Sequence, residues 1–201
     1  MKVYLISDTH FNHQNIATYC DRPANFTDLI VKNWAVIVKP EDMVVHLGDV
    51  QIGKKSDQHD ILSGLPGRKV LIRGNHDRQW SNTRWMQAGF DFACDSMIFR
   101  NCWLTHEPAQ SLPEGTTLNL HGHLHNIWDG FHPNDPKEDK YFAETLLTMH
   151  KQLHNPWQRL FAIEYTSYRP VEFDKFVSQP DKYQARGPKI LDPKLPDKKN
   201  V

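Results

Sequence analysis

Five short polar motifs carry the residues able to do chemistry: Asp8-Thr9-His10, Gly48-Asp49, Gly74-Asn75-His76-Asp77, His106 and Gly122-His123-Leu124-His125. Together they supply carboxylates, imidazoles and a carboxamide oxygen, a donor set that suits borderline divalent ions such as Mn²⁺, Fe²⁺, Co²⁺, Ni²⁺ or Zn²⁺. Cysteine takes no part in the set, which argues for a catalytic centre over a structural zinc site. Glycines beside the donors permit sharp turns and a close approach of backbone to a cation or phosphate. Any one motif is as well explained by a turn or a helix cap. Five in this order, each closing an apolar run, are hard to obtain from core packing alone, and the chain's 12 histidines are the compositional trace of the pattern.

The elements that must position these motifs follow from hydrophobic periodicity. Lys2 to Ser7, Met43 to Leu47 and Lys69 to Ile72 read as short buried strands, each ending in a motif. Between them lie a helix over Asp28 to Val38, with Ile30, Trp34, Ile37 and Val38 at helical spacing and Pro40 as its stop, and a shorter helical stretch over His59 to Leu62. This alternation predicts a parallel sheet, in which ligand sites gather beyond the carboxyl ends of the strands, so that motifs distant in sequence meet in space. Beyond about residue 90 the texture changes. Phe92 to Phe99, Cys102 to Thr105 and Thr117 to Leu120 read as closely spaced strands of a second, mixed or antiparallel sheet. Tyr141 to Leu153 has helical periodicity, Leu160 to Tyr165 reads as the last strand, and a short Glu172 to Val177 segment follows. One domain is expected over 1–178. From Gln179 to Val201, prolines among lysines and aspartates read as an extended tail. The stretch from Asn126 to Arg159 reads as an insertion serving as a lid, a dimer contact or a surface excursion.

The 201 residues, 39% hydrophobic, are enough for one domain with one substantial core. Equal numbers of basic and acidic residues, 24 of each, leave no global field to gather duplex nucleic acid or an anionic membrane. No apolar run is long enough to span a bilayer, and Met1 to Ser7 leads into a strand where a signal peptide would need a longer apolar core. Cys20, Cys94 and Cys102 lack a disulfide-framework spacing. A cytoplasmic protein without a membrane partner is expected.

The ordered motifs resemble the calcineurin-like metallophosphoesterase superfamily, whose pattern is Asp-x-His, Gly-Asp, Gly-Asn-His-Asp/Glu, His and Gly-His-x-His. The likeness runs from Lys2 to His125, and the opening Ser7 to His13 with Arg22-Pro23 looks like the compact single-domain members found in bacteria and their viruses. The resemblance implies an α/β fold, a four-layer αββα sandwich of two mixed sheets. It implies Asp8, His10, Asp49 and His125 as ligands of one metal and Asp49, Asn75, His106 and His123 as ligands of a second, with Asp49 bridging. Two divalent ions are implied, Mn²⁺ first, with Fe²⁺, Zn²⁺, Ni²⁺ and Co²⁺ as alternatives. A metal-bridged hydroxide would be the nucleophile and His76 the general acid. Asp77 would orient His76 or cap its turn. His13 and Arg22 are expected on the substrate side, Arg22 as a phosphate contact. His46 and His121, inside strands, read as packed residues. Trp80 and Trp85 read as core residues, with a base-stacking wall as the alternative.

A phosphate-ester substrate follows, expected to be the phosphodiester of a small nucleotide, a cyclic nucleotide or a nucleic-acid end. The alternatives are a nucleotidase-like phosphomonoesterase and a non-catalytic binding scaffold on the same fold. Protein serine/threonine phosphatases are a poor match: they carry Asp-x-x-Asp-Arg-Gly after Gly-Asp, where this chain has Val50-Gln51-Ile52-Gly53, and they have Glu at the position of Asp77.

Overall fold

The apolar runs that precede the first three motifs become the middle of a five-stranded sheet. In the computed structural model, which describes residues 1–51, 58–126 and 155–183, these strands are β1 (Val3–Ile6), β2 (Met43–His46) and β3 (Arg68–Ile72). Each is apolar on both faces where it crosses the core, as parallel strands covered on two sides must be, and Leu5, Ile6, Val44, Val45, Leu71 and Ile72 are all fully buried. The sheet continues through β4 (Phe92–Cys94), parallel to β3, and closes on its other edge with β9 (Val171–Glu172), antiparallel to β1. A second sheet has the order β5 (Met97–Phe99), β6 (Cys102–Leu104), β7 (Leu118–His121) and β8 (Gln158–Leu160). Its β5–β6 pair is antiparallel and the rest parallel, so both sheets are mixed.

Helices cover the sheets. α1 (Gln14–Tyr19) and α2 (Phe26–Ile37) follow β1. In α2, Phe26, Ile30 and Trp34 recur four residues apart, form one stripe and are completely buried. α3 (Gln58–Gly64) joins β2 to β3 and α4 (Asn82–Gln87) joins β3 to β4. The Ser81 hydroxyl caps α4 by accepting from Arg84 N. After β9 come α5 (Phe173–Ser178) and α6 (Pro180–Tyr183). One buried cluster joins Leu5, Val45 and Leu71 of the first sheet, Leu104 and Leu120 of the second, and Trp34, Phe173 and Phe176 of the helices. The result is the α/β four-layer sandwich.

Four segments differ in detail from expectation. Phe92 to Phe99 is two strands in two sheets: Phe92 pairs with Val70, whereas Met97 pairs with Leu104. The second sheet therefore starts at Met97, and the crossing falls at the polar pair Asp95-Ser96. Leu160 to Tyr165 is not a strand beyond Leu160; the chain turns into a 3₁₀ segment over Ile163–Thr166. Glu172 to Val177 divides into the end of β9 and most of α5. Pro180–Tyr183 of the expected tail is helical, with Tyr183 stacked 6.0 Å from Phe176. The expected Tyr141 to Leu153 helix, most of the 126–159 insertion and the rest of the tail lie outside the described residues. Among the described residues no helix is long and apolar enough to cross a membrane.

Candidate metal centre

The parallel strands β1, β2, β3, β6 and β7 all deliver their carboxyl ends to one place. Three backbone bonds lace the loop after β1 to the loop after β2: Asp8 N to Gly48 O at 2.9 Å, His10 N to Asp49 O at 3.1 Å and Phe11 N to Val50 O at 2.9 Å. Two further contacts stitch the sheets together. His106 Nδ1 donates to Leu47 O at 2.8 Å, and His123 N donates to the Asp8 carboxylate at 3.1 and 3.2 Å.

Two donor clusters result. Donor atoms of Asp8, His10 and His125 lie within 4.8 Å of one another, as do those of Asp49, His106 and His123. Asn75 Oδ1 joins the second cluster, 3.0 Å from His106 Nε2 and 3.1 Å from His123 Nδ1. Asp49 Oδ2 faces both, 3.7 Å from His10 Nε2 and 3.2 Å from His106 Nε2. Cations fit this arrangement on two observations. Both ring nitrogens of His10 are buried without a hydrogen-bond partner. With the His106 Nδ1 proton given to Leu47 O, its Nε2 turns a lone pair toward the Asn75 and Asp49 oxygens, an arrangement that only a proton or a cation makes favourable.

Electrostatics agrees. Burial holds His10 well below its ordinary value, with the charges of His125 and Arg22 adding to the effect, so His10 is a neutral donor. Burial likewise lowers His123. Burial works against ionising Asp49, yet the hydrogen bond and charge of His106 bring its carboxyl well below the usual range. His106 is opposed by burial too, but its bond to Asp49 and the charges of Asp8 and Asp49 lift it to about 9. The buried centre is thus rich in negative charge and draws positive charge toward itself.

The loops adopt backbone that ordinary residues avoid. Asp8, His10, Asp49, His123 and His125 all have positive φ, between 43° and 74°, a concentration that marks a site where surrounding bonds overrule local preference. At Gly74 an added Cβ would strike the Asp49 carboxylate, and at Gly122 it would strike Ser7 Oγ and the Asp8 carboxylate. These glycines make room for the donors themselves.

Two side chains brace the loops. The buried Asp77 carboxylate accepts from Asp49 N at 2.8 Å, Val50 N at 3.0 Å and Gly74 N at 2.8 Å. It ties the second and third motifs together instead of orienting the His76 ring. Arg22 does not line the substrate side. Its side chain is 0% exposed, and it donates to Asp8 O at 2.8 Å, Thr9 O at 3.2 Å and Glu164 Oε1 at 2.6 Å. Glu164, on the 3₁₀ segment after β8, was not among the sequence candidates. The available signal was a lone carboxylate inside the apolar run Leu160 to Tyr165, which demands a buried partner.

The remaining candidates divide. His76 is 41% exposed and stands with Nε2 3.9 Å from Asp49 Oδ2, its ring 5.5 Å from that of His10. His13 is half-buried, its ring 5.9 Å from that of His10. His46 and His121 are fully buried. Burial lowers His46 to about 3, and the neutral ring passes a hydrogen bond through Thr9 Oγ1 to Val50 O. Trp80 and Trp85 are buried and pack on each other at 4.6 Å, and Trp85 Nε1 donates to Asp77 O, so they support the third motif and form no wall for a base.

Two mixed sheets delivering histidine, aspartate and asparagine donors from successive strand ends define a metallophosphoesterase. A model of the calcineurin-like phosphoesterase family matches residues 1–187, and the chain belongs to that family of metal-dependent phosphoester hydrolases. It is 33% identical to the uncharacterized protein MJ1445 of Methanocaldococcus jannaschii over 189 residues, 88% of this chain and 89% of that protein. A shorter likeness, 41% over 80 residues, links it to the gene 66 protein of Mycobacterium phage D29, covering 38% and 40% of the two chains. Among solved structures it resembles the protein of unknown function AQ665 from Aquifex aeolicus, with a TM-score of 0.63 and 25% identity, covering 88% of this chain and 98% of that one.

Proposed function

We propose that the chain hydrolyses phosphodiester bonds of a small nucleotide, a cyclic nucleotide or a nucleic-acid end. Asp8, His10, Asp49 and His125 would hold one divalent ion and Asp49, Asn75, His106 and His123 the other, with Mn²⁺ the first candidate. Such ions supply a water acidic enough to attack near neutral pH and neutralise charge on the phosphoryl oxygens. The protein's own part is to keep His10 neutral by burial, to hold Asp49 between the two clusters and to stand His76 at the open edge. There His76 gives its proton to the leaving oxygen.

The observation that carries the diester reading concerns the arginines nearest the motifs. Arg22 is paired with Glu164 at 2.6 Å, Arg73 with Asp95 at 2.7 Å and Arg78 with Glu107 at 3.5 Å. A doubly charged monoester would be best met by free guanidinium groups, whereas a singly charged diester suits a rim of histidines. The test is turnover of bis-p-nitrophenyl phosphate against p-nitrophenyl phosphate with Mn²⁺. Faster cleavage of the diester is expected, and a clear preference for the monoester would contradict the proposal.

A further inference from the structure

We infer that Glu164, held by Arg22, is a positioning residue that fixes the orientation of the His125 ring and so prepares one of the two cation sites. The inference rests on the reading of His125 as a metal ligand.

His125 presents its two nitrogens to two carboxylates: Nδ1 lies 3.3 Å from Glu164 Oε1, and Nε2 lies 3.5 Å from Asp8 Oδ1. Arg22 holds this arrangement together. Its Nη2 donates to Glu164 Oε1 at 2.6 Å and to Asp8 O at 2.8 Å and lies 3.2 Å from His125 Nδ1, while Nε donates to the same Glu164 oxygen at 2.9 Å. The inner nitrogen of the ring thus meets Arg22 and Glu164 together, which turns Nε2 to the Asp8 side, where a cation would be held.

The same guanidinium reaches the loop that carries Asp8 and His10. By donating to the Asp8 and Thr9 carbonyls it holds that loop where Asp8 and His10 have φ of 53° and 43°. A single buried ion pair thus fixes all three donors of one cluster. Stability alone is a weak reason for it, because a buried pair is often no better than apolar side chains of similar volume. The side-chain exposures are 0% for Arg22 and 5% for Glu164.

The test is calorimetric titration of metal-stripped protein with Mn²⁺, wild type against Glu164→Gln and Arg22→Lys, with long-range ¹H–¹⁵N spectra of the ring nitrogens. Loss of an orienting partner weakens a metal site by about 10–100-fold. Glu164→Gln should weaken one of two sites by that factor, leave the other nearly unchanged and shift the ring nitrogen signals of one histidine. Arg22→Lys, which keeps the charge and loses the fork, is the second variant should Glu164→Gln fail to fold, and it should weaken the same site by about tenfold. Two cations bound equally well by wild type and both variants would overturn this inference and leave the metal reading standing. Wild-type protein that takes up no Mn²⁺ would overturn both.

Discussion

The two halves of the centre are braced by charges of opposite sign. Around Asp49 the organiser is an anion: Asp77 gathers three backbone N–H groups from the second and third motifs. Around Asp8 the organiser is a cation: Arg22 gathers two backbone carbonyls of the first motif and the Glu164 carboxylate. The difference follows from which backbone groups each loop turns inward, since N–H groups need an acceptor and carbonyls a donor. It also sets the electrostatic cost. Burial and the nearby Asp49 charge push Asp77 up to about 7. Glu164 is resisted by burial as well, but the hydrogen bond from His125 and the charge of Arg22 bring it down to about 2. One half is a buried anion awaiting positive charge, and the other is already compensated.

Variants that strike either half, or the group between them, sharpen the contrast. The largest effect is expected at the shared donor. Asp49→Asn should lose both metal ions by elemental analysis and reduce diester cleavage to background, whereas retention of both ions would show that the two clusters do not depend on a shared donor. Next is His76, which belongs to neither half. His76→Asn should keep its metal content and slow hydrolysis of alkyl diesters by about 10²–10⁴-fold, with much less effect when the leaving group is p-nitrophenolate. Full activity on an alkyl diester would remove the acid role.

Smaller effects separate the braces. Asp77→Ala leaves three buried N–H groups without an acceptor, so unfolding should show a loss of about 3 kcal/mol or more, together with weakened metal binding around Asp49. A variant as stable as wild type would show that those N–H groups find other partners. The smallest effect concerns pH. Glu164 has a folded value of about 2 against an ordinary 4.5, so its stabilisation is present above the unfolded value and is lost as pH falls through the window down to about 2. Metal-stripped wild type should therefore lose several degrees of Tm between about pH 5 and pH 3. Glu164→Gln should lose less over the same interval, and equal losses would mean that the pair contributes nothing to acid sensitivity.

The sequence made the donors more legible than the groups that brace them, for a physical reason. Asp8, Asp49 and Asn75 stand directly after apolar strands, and a strand's end is visible wherever hydrophobicity stops. Their convergence needed only the rule that parallel strands share a carboxyl edge. Asp77 was visible as part of a motif, but its role was not, because nothing local says which backbone groups a carboxylate will meet. Arg22 and Glu164 are 142 positions apart, and each alone looked ordinary: one a surface arginine suited to phosphate, the other a polar interruption in an apolar run. The β4–β5 crossing was hidden similarly: Phe92–Cys94 and Met97–Phe99 are two apolar stretches either side of Asp95-Ser96, and nothing local says that they pair with Val70 and Leu104 in different sheets. Pairings across long loops leave no local periodicity to read.

The most direct test is anomalous diffraction from crystals of this chain soaked with Mn²⁺. The account predicts two peaks sharing Asp49, one contacted by Asp8, His10 and His125 and the other by Asn75, His106 and His123. Manganese bound elsewhere, or none bound among these donors, would contradict it.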